Sequence, residues 1–262
     1  MKNIKYYFTF FFLFLILIFN GVFADEIEKN CESYIIDNVD YINQDKLVSG
    51  CESVASAMLL KFWGYDISEE YFYDNILLHK DWNYQRDGMI HAADPNSAYV
   101  GNARKPKGLN CGFGCYAPVL FDALNKVLDT QKHKLMNVTG VDIDELCTNY
   151  ISKDYPVIIY ATMGMVQPKP TYKWKVSFVN KNSKLKIGDI FTWLSSEHCI
   201  LLIGYSKHSY IVNDSLKKVP RVSIPKSLLK RRYKEMGMQA LVIVPTESNV
   251  ESSSKDKPGM QN

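Results

Sequence analysis

Ser49-Gly50-Cys51-Glu52-Ser53-Val54-Ala55-Ser56-Ala57-Met58-Leu59-Leu60-Lys61-Phe62-Trp63-Gly64 is the stretch from which the fold of this 262-residue chain is read. Val54, Met58 and Phe62 recur at four-residue steps with Ala55 and Leu59 beside them, the period of a helix with one apolar stripe. Glu52, Ser53, Ser56 and Lys61 are expected on its wetter side, and Gly64 is expected to stop it. Cys51 opens the helix. The first amides of a helix lack internal partners and the aligned peptide dipoles leave partial positive charge there, so a thiolate is favoured over a thiol and Cys51 is placed to act as a nucleophile. A small buried core cysteine is the competing reading, and a base supplied from far downstream decides between the two.

Residues 1–24 are expected to be an export signal. Lys2 and Lys5 precede an apolar run over 8–19, and Val22-Phe23-Ala24 offers small residues where a signal peptidase reads, with cleavage before Asp25. The run is too short to span a bilayer comfortably, so membrane attachment is expected only if the signal stays uncleaved. The expected location is outside a bacterial cell, secreted or at its outer surface. Residues 25–245 are expected to form one domain and 246–262 a polar, serine-rich tail that cannot bury enough surface to order itself. The formal charge of +3 falls to +1 without Lys2 and Lys5, which gives no pull toward nucleic acid. Lys230-Arg231-Arg232 with Lys234 reads as a solvated helix face.

Six cysteines, at 31, 51, 111, 115, 147 and 199, accompany the export signal, and an oxidising exterior could pair some of them. A free Cys51 leaves an odd remainder, which argues against a full disulfide framework. Cys111 and Cys115 are close enough for a bridge or half a metal site, yet no second pair at zinc spacing follows, so neither metal nor cofactor is expected.

Further along, Ile67 to Leu78 is a second amphipathic helix candidate starting at Ser68. From His79 to Cys115 periodicity disappears, and this long stretch is expected to be a functional surface loop whose aromatic residues include Trp82, Tyr84 and Tyr99. Helices are expected over 118–128 and 142–152, and a buried strand over 156–161. Met163 to Lys186 reads as loop with an edge strand over 174–178. Strands follow at 190–193, 199–205 and 210–213, the last two a hairpin, and 241–244 closes the fold. A helical N-terminal half packed on an antiparallel sheet is an α+β arrangement, with two lobes and a cleft between them.

His198 begins the long apolar strand, flanked by Glu197 and Cys199, so its imidazole can emerge at the sheet rim and meet the Cys51 helix end. Histidine is the side chain suited to take a thiol proton near neutral pH and return it to a leaving amine. Asp214 is the expected orienter of that ring, with Asn213 the alternative. A turn centred on Lys207-His208 puts residue 217 opposite His198, so strand twist or a shifted turn has to bring Asp214 in. The Cys51 amide and the side chain of Gln44, seven residues upstream, are the expected donors to an oxyanion.

Ile42-Asn43-Gln44 before Ser49-Gly50-Cys51-Glu52, Gly114-Cys115-Tyr116-Ala117-Pro118, Pro156-Val157-Ile158 with Ala161-Thr162-Met163-Gly164-Met165, Phe191-Thr192-Trp193, Glu197-His198-Cys199 with Leu202-Ile203-Gly204-Tyr205, and Val212-Asn213-Asp214 occur in that order. In these motifs the chain resembles the stand-alone, exported branch of the bacteriocin-leader (double-glycine) peptidase-like family of cysteine peptidases, from about Val39 to Val244. The resemblance implies a papain-like fold, with Cys51 as nucleophile, His198 as base, Asp214 as orienter and Gln44 as the oxyanion side chain. Relatives fused to transporters cut leader peptides after paired glycines. This chain shows no transporter segment or nucleotide-binding motif, so that substrate does not carry over. The insertion between Leu78 and Asn110 and the lysine-rich 169–183 region are departures from the family pattern.

The expected activity is hydrolysis of a peptide or protein substrate, cell-wall peptides included, through an acyl-enzyme. A thiol acyltransferase on the same apparatus is one alternative. A non-catalytic surface module that binds through Trp82, Tyr84, Tyr99 and Trp174 is the other.

Overall fold

The computed structural model describes residues 33–246 except 182; the expected signal and nearly all of the expected tail lie outside the described residues. Strand β1 spans Tyr34–Ile35, and helix α1 spans Cys51–Phe62. Helix α2, Glu69–Tyr71, runs directly into a π-turn over Phe72–Ile76, and Ser68 Oγ caps it by accepting from the Tyr71 amide. Strands β2 (His79–Lys80), β3 (Asn83–Tyr84), β4 (Ile90–Ala93) and β5 (Tyr99–Val100) precede helix α3 (Ala117–Leu124). Then come β6 (His133–Asn137), α4 (Ile143–Asn149, capped by Asp142), β7 (Val157–Thr162), β8 (Pro170–Phe178), β9 (Ile190–Leu194), β10 (Glu197–Tyr205), β11 (Ser209–Asn213), β12 (Val222–Pro225), α5 (Lys226–Glu235) and β13 (Ala240–Pro245).

The main sheet has the order β12-β11-β10-β7-β13-β6, with β1 added to the far end of β10, and every pairing in it is antiparallel. Its central strands are covered on both faces, which is why 157–161 and 199–203 read as continuous apolar runs rather than alternating ones. Cys199, Leu201, Ile203, Ile158, Tyr160, Leu241 and Ile243 pack with the α1 core. Ile200, Leu202, Val157, Ile159 and Val242 pack with Leu146 of α4 and Leu229 and Tyr233 of α5 on the other face.

Helix α1 departs from its sequence reading. Every residue from Cys51 to Leu60 is buried, so Glu52, Ser53 and Ser56 face protein, and of the expected polar side Lys61 alone is exposed. Gly64, with φ of +81°, ends the helix as expected. The basic run in α5 is also not wholly solvated, because Arg232 is buried and its Nε donates to the Met165 carbonyl.

The stretch expected to be a loop carries a second sheet. Its order is β3-β4-β8-β9, with β4 parallel to β8, and β2 pairs in parallel with β5. β8 is longer than expected and is paired on both sides, so it is not an edge strand. Trp82, Trp174 and Tyr99 are buried, and Tyr84 alone of the four proposed recognition aromatics is exposed. Trp174 packs among Phe113, Phe191 and Trp193, so Trp174 and Trp82 belong to the core of the small sheet, while Tyr99 packs in the α1 core and Tyr84 stays at the surface. Cys111 and Cys115 are free thiols, which removes the expected bridge.

The last strand of the small sheet, β9, is followed after Ser195-Ser196 by β10 of the main sheet, with Ser196 at φ of +61°. His198 therefore lies where the chain passes from one sheet to the other.

Candidate active site

Three backbone contacts fix the approach to Cys51. The Ser49 amide donates to the Ala103 carbonyl, the Gly50 amide to the Leu47 carbonyl, and the Tyr99 hydroxyl to the Ser49 carbonyl at 2.7 Å. Gly50 caps α1 without a side chain, and a Cβ there would lie 2.7 Å from Leu47 Cβ. Helix α1 then rests on β10, which sets the Cys51 sulfur against the peptide unit joining His198 to Cys199, whose amide faces it.

His198 is 1% exposed, and its Nε2 is 2.7 Å from Asp214 Oδ1. The hairpin reaches this pairing by two devices. A bulge between Leu202 and Gly204 shifts the register by one residue, giving Leu201 opposite Asn213. The chain then leaves β11 in an Asx turn, with Asp214 Oδ1 accepting from the Leu216 amide at 3.0 Å. Asn213 is committed elsewhere, donating to the Asp40 carbonyl and accepting from the Arg221 amide, so it is Asp214 that holds the imidazole. Burial alone would raise the Asp214 carboxyl, but the His198 hydrogen bond and charge, the Leu216 amide and Lys217 outweigh it and hold it below its ordinary value. The His198 Nδ1 is left for another partner.

Gln44 is fixed by Ser215, the residue after Asp214. Its backbone amide donates to the Ser215 carbonyl at 3.1 Å, and its Oε1 accepts from Ser215 Oγ at 2.8 Å. With the oxygen held, the side-chain NH2 is the end left to donate. Ser215 was not singled out from the sequence, because a serine after an aspartate carries no pattern of its own.

The surroundings of the sulfur differ from expectation. Cys51 Sγ has its hydrogen bond with Glu52 Oε2 at 3.4 Å rather than with His198. Burial, then the carboxyls of Glu52 and Glu197, then Cys199 push the Cys51 thiol well above its ordinary value, against a smaller opposing effect of the Cys199 amide. Burial and the two carboxyls thus outweigh what the helix end offers a thiolate here.

Glu52 Oε1 accepts from the Cys115 amide at 2.6 Å, and Gly114 makes room for that contact. A Cβ at Gly114 would lie 2.6 Å from Glu52 Oε1 and 2.8 Å from Glu197 Oε2, and its φ is +132°. Gly114→Ala is therefore expected to destabilise the protein by about 2 kcal/mol, through backbone strain and displaced carboxyls together. Thermal unfolding measures this, and an unchanged melting temperature would count against the packing described.

Among the described residues, an imidazole held by a buried carboxyl lies at the start of β10, and the cysteine that opens α1 rests against that strand start, the layout of a cysteine-peptidase-like fold. The family model described as the Peptidase_C39 like family matches residues 36–241, and the chain belongs to that family. It is similar to the uncharacterized protein YvpB of Bacillus subtilis (strain 168), 25% identical over 214 residues covering 79% of this chain and 75% of that protein. It is also similar to the crystal structure of a protein from Bacillus anthracis described as a C39-like peptidase, with a TM-score of 0.67 and 27% identity, covering 81% of this chain and 98% of that one. The peptidase domain of Streptococcus ComA, a bifunctional ABC transporter, matches with a TM-score of 0.42 and 12% identity over 80% of this chain and 98% of that one. The mixed fold, helices with a largely antiparallel sheet, is the papain-like one that the sequence resemblance implied.

Proposed function

We propose that this chain is an exported cysteine peptidase that hydrolyses a peptide bond through Cys51, with His198 as base, Asp214 as its orienter and Gln44 as an oxyanion donor. The observation that carries the reading is the buried His198–Asp214 pair at 2.7 Å, at the strand start against which the Cys51 sulfur rests. Asp214 occupies Nε2, so the proton acceptor for the thiol is Nδ1. In this reading the sulfur leaves Glu52 for that nitrogen before the proton passes.

The thiol proton passes to Nδ1 and the thiolate attacks the substrate carbonyl carbon, forming a C–S bond. The tetrahedral oxyanion is held by the Cys51 amide and the Gln44 side-chain NH2. The imidazolium, steadied by the Asp214 carboxylate, gives its proton to the leaving amine as the C–N bond breaks. Water, deprotonated by Nδ1, then attacks the thioester carbon and releases the acid and the Cys51 thiol. The substrate is a peptide or protein, and cell-wall peptides belong to that class. The export signal at 1–24 supports an extracellular site of action.

The reading is tested by incubating purified protein and its Cys51→Ala form with a peptide library and sequencing the products; cleavage by both forms, or by neither, would end it. Gln44→Ala is expected to lower kcat by on the order of 10²-fold with little change in KM, because the lost donor acts on charge that develops only in the transition state. Steady-state kinetics on a cleaved peptide measure the split.

A further inference from the structure

The residue after the proposed nucleophile and the residue before the proposed base are both glutamates, and they meet. Glu52 is fully buried and Glu197 is 6% exposed; a carboxylate oxygen of each lies within 4.8 Å of the other and of Cys51 Sγ. Both close on the space left by Gly114. The titratable groups facing them are Cys51 of α1, Tyr99 of β5, Cys115 and Tyr116 at the entry to α3, Tyr160 of β7 and Cys199 of β10, with His198 next in the chain. Asp94 acts from beyond Tyr116. No lysine or arginine is among them. Two ionised carboxylates cannot share such a place without a cation or a proton.

The hydrogen bonds assign that proton. Glu52 accepts from the Cys115 amide and from the Cys51 thiol, the role of an ionised carboxylate. Glu197 Oε1 is buried with no partner, so Glu197 is the member that gains by carrying a proton to give.

We propose that Glu197 is a protonated carboxylic acid paired with the Glu52 carboxylate, and that this one-proton pair positions the Cys51 helix end against the His198 strand. The inference rests on the peptidase reading for what is being positioned. Burial pushes Glu52 up to about 7, and burial followed by the Glu52 charge pushes Glu197 well above its ordinary value, so Glu197 is the member that keeps its proton as pH rises through neutral. When that proton leaves at alkaline pH, like charges meet in the core and the two elements are forced apart.

Infrared difference spectroscopy of the whole chain is the test. The carbonyl stretch of a protonated buried carboxylic acid is expected at a pH about 1.5 units above the Glu52 value, where Glu52 is ionised, retained in Cys51→Ala and lost in Glu197→Gln. Alkylation of Cys51 by iodoacetamide, followed against pH, reads the positioning. Glu197→Ala is expected to slow it on the order of tenfold at neutral pH, because the helix end loses its hold against the strand, while Glu197→Gln, a neutral donor of the same length, restores it to within about threefold of wild type. The wild-type rate is expected to dip at the pH where the band disappears, and the Glu197→Gln rate to continue upward.

A band that survives in Glu197→Gln, an unchanged rate in Glu197→Ala, or a stoichiometric divalent ion in the purified protein each overturns the pair. If Glu197→Ala fails to fold, the band in Glu197→Gln decides alone. Failure of the peptidase reading looks different, because the band and the alkylation profile then stand while no peptide is cut.

Discussion

Cys51→Ala is expected to lower the cleavage rate of any peptide the wild type cuts by about 10⁴-fold or more, with the fold retained. In the proposed mechanism this removes the nucleophile and leaves the oxyanion donors, which alone speed hydrolysis only modestly. The structural consequence is small by comparison. Cys51 is 5% exposed at one end of the α1 core, and losing one sulfur there costs about 1 kcal/mol of packing. The same change removes the thiol that donates to Glu52, whose second oxygen keeps the Cys115 amide. Product release measured beside a melting curve separates the two effects. Cleavage within tenfold of wild type would show that another residue carries the chemistry. Adding His198→Ala is expected to lower the rate little further, because the two act as one unit.

Asp214→Ala is expected to lower the rate by about 10²–10⁴-fold and also to change how stability depends on pH. Its carboxyl is 1% exposed and holds both the His198 ring and the Leu216 amide. Without it the ring loses its orientation and the imidazolium loses its counter-charge. Leaving buried donors unpaired is expected to destabilise the fold by about 1–3 kcal/mol. The sign of the pH effect follows from the folded carboxyl lying below its unfolded value. Its stabilisation is complete above the unfolded value, about 3.9, and is lost as pH falls through the folded one. The wild type is thus expected to lose stability on acidification where Asp214→Ala no longer does. Melting temperatures of both proteins from pH 7 to pH 2 measure this; parallel curves would mean that the His198–Asp214 bond contributes nothing to folding.

The parts of the fold that were legible in the sequence are those whose environment is uniform along the element. Strands β7, β10 and β13 are buried on both faces, and their unbroken Val, Ile and Leu runs say so. The small sheet and the β2–β5 pair escaped because β2, β3 and β5 are two residues long and because β4 pairs with β8, more than 80 residues away, which no local pattern encodes. Glu52 reads as a wet-face residue because a charged residue on a periodic helix usually lies there. The contrary signal was present: from Ser53 to Leu60 the helix carries no charge at all, which marks a segment enclosed on every side. Cys51 and His198 stand out in the sequence because each sits at the start of an element, and Gln44 because it lies on the approach to Cys51. Asp214 needed a bulge that the residues do not announce, and Ser215 and Glu197 take their meaning only from partners brought in by folding.

The order of the main sheet has a temporal consequence. β13, the last strand of the described chain, lies inside the sheet between β7 and β6. A polypeptide emerging from its amino end therefore lays down Cys51, His198 and Asp214 while the platform beneath them still has a gap. The sheet beneath them closes only when the final strand slots in, so a nascent or clipped chain that stops short of Ala240 carries Cys51, His198 and Asp214 on an unfinished support.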